Sequence, residues 1–147
     1  MRKTTPCDLL EQLISKAKNS GADSADAMFV ENRSLSVAQR LGKPESIERS
    51  EDTDLGLRVF VGKRNATVST TDMKPESLDK LIDRVVSMAK VAPEDPYARI
   101  AHDSEITTSN PKIELFDPSE PSAEKLIERA SLAEEAALAV NGVTNSE

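Results

Sequence analysis

The 147-residue sequence holds one cysteine, Cys7, one histidine, His102, and no tryptophan. That inventory excludes a zinc site built from several Cys and His, an iron–sulfur cluster and an internal disulfide. Rings are scarce as well: Phe29, Phe60, Phe116 and Tyr97. The core must therefore be aliphatic, and a stacking platform for bases or sugars has too few members. No apolar run approaches the about 18 residues of a membrane-spanning helix. The start, Met1 to Pro6, lacks the apolar centre of a signal peptide. Basic residues are outnumbered, 19 Lys+Arg against 26 Asp+Glu, for a net charge of −7. Nucleic-acid binding draws on a basic footprint, so this balance argues against it. These absences together predict a soluble, cytoplasmic domain of ordinary size.

What is present is organised by period. Thr5, Pro6 and Asp8 make a helix start: a capping hydroxyl, a proline at the first helical position and an acid three residues on. Leu9, Leu10, Leu13, Ile14 and Ala17 then form one apolar stripe, and Asn19-Ser20-Gly21 ends it. The expected helix spans Pro6 to Asn19. A second helix is expected from Pro75 to about Ala92, with Leu78, Leu81, Ile82, Val85, Ala89 and Ala92 on one face. Pro93 and Asp95-Pro96 stop it. A third runs from about Ser122 to Val140, with Ala123, Leu126, Ile127, Ala130, Ala133, Ala137 and Val140 inward. Between the last two lies a proline-rich connection, 93–121, with one short extended piece at Ile113 to Phe116.

Strand-like blocks fill the region between the first two helices. Ala25 to Glu31 is largely apolar, and Asn32-Arg33 offers a turn. Leu35, Val37 and Leu41 follow, Gly42-Lys43-Pro44 turns again, and Glu45 to Ser50 reads as a weak edge strand. Leu55, Leu57, Val59 and Val61 alternate strongly; after Gly62-Lys63, so do Ala66, Val68 and Thr70. Short connections demand antiparallel neighbours. The expected fold is α+β: an antiparallel meander of about five strands packed with three helices. Val143 to Glu147 begins another extended stretch, which suggests that the chain continues beyond it.

Few residues suggest chemistry. Cys7 sits at a helix start, but nothing in the order of residues brings it to His102. The acidic run Glu48 to Asp54 invites comparison with a calcium loop. Such a loop needs glycine at its sixth position; counting from Glu48, Thr53 stands there. Arg58, Lys63 and Arg64 are the compact basic feature, yet no glycine-rich phosphate loop accompanies them. Charges on a hairpin tip are the ordinary reading. The Glu45 to Ser50 edge fits either a guarded edge or a site for an added peptide strand.

Several segments taken in order carry a family resemblance. They are Asp54-Leu55-Gly56-Leu57-Arg58-Val59, Val68-Ser69-Thr70-Thr71-Asp72-Met73, Ala92-Pro93-Glu94-Asp95-Pro96-Tyr97-Ala98 and Ile113-Glu114-Leu115-Phe116-Asp117-Pro118. Together they resemble the N-terminal domain of the TldD/PmbA family, with the latter two closer to its PmbA (TldE) branch. The resemblance implies that 1–147 is one N-terminal domain of a longer protein. It implies the family's zinc metallopeptidase activity, its association with DNA gyrase and its cleavage of small peptides and proteins. It also implies a TldD-like partner subunit or self-association. In TldD the metal is held by an H-E-x-x-x-H helix and a distant cysteine, both C-terminal to a domain of this kind. No H-E-x-x-x-H occurs in these residues. No catalytic, cofactor or metal residue can be carried over, and zinc is expected only in a full-length TldD-type partner. One departure stands out: relatives place Ser before the Pro-Glu that opens the second helix, and here the residue is Lys74, a poor cap.

Overall fold

The computed structural model describes residues 5–109 and 111–146. Among them are α1 (Pro6–Asn19), β1 (Ser24–Arg40), β2 (Lys43–Val61), β3 (Arg64–Thr70), α2 (Pro75–Val91) and α3 (Ala123–Leu138). A single 3-10 turn, Asp103–Glu105, lies in the connection before α3. The α+β expectation holds, with three helices and one antiparallel sheet. The strand number is corrected from about five to three, in the order β1-β2-β3.

The correction has a physical cause. A tight two-residue hairpin turn needs positive φ at one or both of its central positions. Asn32-Arg33 does not adopt it, and β1 runs straight through. Leu41 and Gly42 do, with φ of 50° and 72°. The first two expected strands are thus one strand, and Glu45–Ser50 and Leu55–Val61 are likewise one strand, β2. Ile113 to Phe116 forms no strand, and neither does Val143 to Ser146. Glu147 lies outside the described residues.

The chain divides into two compact units, Met1–Glu31 with Asp52–Asn110, and Asn32–Glu51 with Pro111–Glu147. The first unit holds the main core. α1 is fixed at its start by a reciprocal cap: Asp8 N–H donates to Thr5 Oγ1 at 3.2 Å, and Thr5 N–H donates to Asp8 Oδ2 at 2.8 Å. Its Leu13 and Ala17 are buried with Leu55, Leu57 and Val59 of β2 and Leu78, Ile82, Val85, Val86 and Ala89 of α2. Leu57 stands opposite Val68 of β3, and Val59 opposite Ala66. The strand period aims these residues at the helices.

The start of α2 answers the question raised by Lys74, which supplies no side-chain cap. Asp72 does the work from outside the helix: it accepts the Lys74 N–H at 3.1 Å and the Ser77 hydroxyl at 2.7 Å. The Ser77 hydroxyl, and after it the Lys74 N–H, hold the Asp72 carboxyl below its ordinary range.

A second anchorage in this unit ties the connection to the β2–β3 turn. Asp95 N–H donates to Lys63 O at 2.7 Å, Lys63 Nζ donates to Pro96 O at 3.2 Å, and Arg64 pairs with Glu94 at 3.0 Å. Gly62 N–H donates to Asp23 Oδ2 at 2.6 Å, and Gly62 takes a φ of 59° that suits glycine.

In the second unit α3 starts at Ser122, whose hydroxyl accepts the Lys125 N–H at 3.4 Å. Its inward positions include Leu126, Ile127, Ala130, Ser131, Glu134 and Ala137. Ala133 and Val140, expected inward, are exposed.

Candidate functional site

The residues with catalytic potential are not assembled into a site. Cys7 is exposed on the first turn of α1. His102 is engaged through its backbone N–H, which donates to Glu105 Oε2 at 2.7 Å. No hydrogen bond joins the two among the described residues. Glu105 is held down to about 2, first by the Arg99 guanidinium and then by that His102 N–H. This is a local clip in the connection.

The acidic run is extended backbone within β2, with Arg49 paired to Glu51 at 2.8 Å. Among the described residues no group of three His, Cys, Asp or Glu side chains is placed to hold a metal. Zinc therefore finds no donor set here, and no chemical step is derived through it. Of the basic residues, Arg58 forms a two-pronged pair with Asp26, and its guanidinium lies 5.1 Å from the centre of the Phe60 ring. Asp26 raises the Arg58 pKa further, against the pull of burial. Lys63 and Arg64 are spent on the anchorage of the connection. These charges brace the fold.

The most elaborate polar arrangement lies at the tip of the β1–β2 hairpin, and it is centred on Glu134. This carboxylate is 4% exposed and is the buried charged group among the described residues. Burying a carboxylate costs heavily unless its oxygens are satisfied. Here they are. Leu41 N–H donates to Oε1 at 2.5 Å. Gly42 N–H donates to Oε2 at 2.8 Å, and the Gln39 side-chain amide donates to the same oxygen at 3.0 Å. The Ser131 hydroxyl, one turn earlier on α3, donates to Gln39 Oε1 at 2.8 Å and orients that amide. The Gln39 amide first, then the Gly42 and Leu41 N–H groups, hold the Glu134 carboxyl below its ordinary range although burial pushes it up.

The clamp holds a turn that is itself under strain. Leu41 has φ of 50°, the left-handed region that a leucine rarely enters, and its side chain is 60% exposed. The tip thus presents a strained, exposed apolar residue whose backbone is held by a buried carboxylate. Arg40, Lys43, Pro44 and Glu45 border it around a shallow recess of about 310 Å³. Sequence reading missed Glu134. The signal was its spacing: it follows Ala130 by four residues and Ser131 by three, on the same helical face as Ile127.

The turn geometry leads to an expectation. Asn-Gly is the favoured pair for this turn, because asparagine tolerates positive φ. Leu41→Asn should raise stability by about 0.5–1 kcal/mol, since left-handed backbone penalises leucine more. A shift of the urea midpoint to higher concentration with an unchanged slope will register it. A lowered midpoint would mean that the Leu41 side chain contributes packing the exposure does not suggest.

Comparison with known proteins follows the same segments. The family model described as PmbA/TldA metallopeptidase domain 1 matches residues 25–89, which span β1, β2, β3 and most of α2. Metalloprotease PmbA of Escherichia coli O157:H7 is 31% identical over 143 residues, covering 95% of this chain and 32% of that protein. The chain is similar to the PmbA/TldD family by both findings. A PmbA homologue of Haemophilus influenzae is 28% identical over 125 residues, covering 85% of the chain and 28% of its own length. Two solved structures share the fold of this chain. A Bacteroides thetaiotaomicron protein, provisionally assigned as a modulator of DNA gyrase, superposes with a TM-score of 0.83 at 18% identity, over 97% of this chain and 34% of that one. TldE from Thermococcus kodakarensis gives 0.62 at 17% identity, over 88% of this chain and 29% of its own. The chain spans about a third of the length of the relatives it matches. No helix among the described residues is long and apolar enough to cross a membrane.

Proposed function

We propose that residues 1–147 are the non-catalytic N-terminal domain of a PmbA/TldD-like peptidase subunit in the cytoplasm. The domain contributes to a chamber for peptide substrate and to contacts with a TldD-like subunit or a second copy. The observation that carries this reading is the match to metalloprotease PmbA, which covers 95% of the chain but 32% of that protein. In this reading, peptide hydrolysis draws on residues outside the matched third. The chain offers what a wall or contact domain needs: an aliphatic core, a long hairpin and a tip held in one conformation by Glu134. Zinc belongs to a full-length TldD-type partner.

The purified chain, given zinc and an unfolded peptide, should release no products. Cleavage by the chain alone would overturn the reading. A second reading is a protein-binding module that modulates DNA gyrase. It is favoured by the provisional assignment of the Bacteroides thetaiotaomicron structure, and the acidic net charge suits a basic protein surface. Salt-sensitive capture of purified gyrase by the chain would favour it over the first; absence of capture would count against it.

A further inference from the structure

The turn between β1 and β2 breaks two local rules at once. Leu41 takes a φ of 50°, which its own Cβ disfavours. Arg40 ends β1 and Lys43 begins β2, so the two flank a two-residue turn and are cross-strand neighbours. Cross-strand neighbours point to the same face of a hairpin, and like charges placed there repel. Both residues are exposed. Neither forms an ion pair among the described residues. Glu45, two residues along β2, shares their face but pairs with neither. The Glu134 carboxylate faces the backbone instead: its oxygens are taken by the Leu41 and Gly42 N–H groups and the Gln39 amide. A turn selected for stability alone would carry asparagine at position 41 and opposite charges at 40 and 43. Local rules broken together, with no remedy inside the chain, collect where a surface meets something else.

The chemistry of the tip says what would relieve it. Two cations on one face attract carboxylates. Leu41, 60% exposed, and Pro44 offer apolar surface beside them, and with Glu45 these residues border the shallow recess. The hydrogen bonds to Glu134 already fix the backbone, so a ligand has no turn to order on arrival. The matching occupant is a short polypeptide segment with an apolar side chain flanked by carboxylates. Nucleic acid and anionic lipid present negative charge over a wide surface, which a chain of net charge −7 repels as a whole. A short acidic segment meets only the recess.

We propose that the β1–β2 tip is a docking site for an acidic peptide segment of a partner protein. Arg40 and Lys43 take its carboxylates, and Leu41 and Pro44 take its apolar side chain. The proposal is independent of the peptidase reading, and its test involves no hydrolysis.

The probe is an end-capped pentapeptide, Asp-Asp-Leu-Asp-Asp, titrated into isotope-labelled protein and followed by nuclear magnetic resonance. The amide signals of Arg40, Leu41, Gly42, Lys43 and Glu45 should shift saturably, while those of α2 stay in place. The analogue Asn-Asn-Leu-Asn-Asn should bind at least tenfold more weakly. Arg40→Glu and Lys43→Glu, each alone, should weaken the acidic peptide by about tenfold or more and yet raise the urea midpoint, because each turns a cross-strand repulsion into an attraction. A merely structural role would not set binding against stability. Leu41→Asn should show the same opposition, with affinity lowered about threefold through lost apolar contact. Lys80→Glu, at an exposed position of α2, makes the same change of net charge and should leave the affinity within about twofold. No shift at the tip with millimolar peptide, equal binding of the asparagine analogue, charge swaps without effect on binding, or an equal loss in Lys80→Glu would overturn the proposal. So would a tip that ignores the peptide but binds vesicles of phosphatidylcholine and phosphatidylserine, which would make it a membrane contact.

Discussion

Leu57→Ala should cost about 2–5 kcal/mol, the range for deleting a large buried aliphatic side chain that its surroundings cannot refill. Leu57 has no exposed surface and lies on the central strand, opposite Val68. It belongs to the same core as Ile82 and Val85 of α2 and Leu13 of α1. Its neighbours in that core are aliphatic, with no polar atom to draw water into the space. A cavity there stays empty and loses contacts on every side. Domains of this size hold on the order of 5–15 kcal/mol in total, so the loss is a large share. Urea unfolding followed by helical circular dichroism should show the midpoint falling with little change of slope. Leu41→Ala is the matched control: the same atoms are deleted from an exposed turn, and the cost should stay within about 0.5 kcal/mol. Equal losses at the two sites would mean that the buried cluster is not the centre of stability.

The difference between those leucines was only partly legible in the order of residues. Leu57 stands in strict alternation with Leu55 and Val59, and alternation beside a helical stripe identifies an inward position. α1 and α2 were legible for the same kind of reason. Thr5 with Asp8, Pro75, and the stripes through Leu13 and Ile82 all speak locally, and local signals survive without knowledge of the partner. The strand count failed where the signal is ambiguous. Asn32-Arg33 and Glu51-Asp52 are polar pairs, and a polar pair looks the same in a turn as in an exposed strand. The deciding quantity is backbone φ, positive at Leu41 and Gly42. Leucine there gave no warning, because its strain is offset by a partner nearly a hundred residues away. Lys74 was legible as a poor cap, but the support that reaches the helix from Asp72 through the Ser77 hydroxyl was not.

The candidate site was the least legible feature. A glutamate on an apolar stripe is ordinarily assigned to the solvent side, and an alanine beside it to the core. α3 reverses that order at Ala133 and Glu134, because the hairpin tip brings two N–H groups and one amide that only an acceptor can satisfy. The requirement originates in the turn and is met by the helix. A reading that takes each element alone sees neither. Cys7 and His102 are conspicuous in the sequence through rarity alone: Cys7 is exposed on α1, and His102 is engaged by its backbone N–H with Glu105.

Glu134 supports the strongest single-residue prediction at the tip. Glu134→Ala removes all three accepted hydrogen bonds and leaves Leu41 and Gly42 N–H without their acceptor. Glu134→Gln keeps the shape but replaces one oxygen with a donor. If the amide NH2 faces Gly42 and Gln39 it confronts two donors; if it faces Leu41 it confronts one. Both variants should lower hydrogen-exchange protection of the Leu41 and Gly42 amides, by about tenfold for the alanine variant, with a smaller loss for glutamine. The pH dependence follows from the lowered pKa. The folded carboxyl ionises below its ordinary value near 4.5, so its contribution is complete above that value and declines as pH falls through the lower, folded pKa. Native protein should therefore lose tip protection on acidification below about pH 4.5. The alanine variant should lack that acid-dependent loss. Protection unchanged in Glu134→Ala would show that the hairpin holds its turn unaided, and the strained Leu41 would then need another source of support.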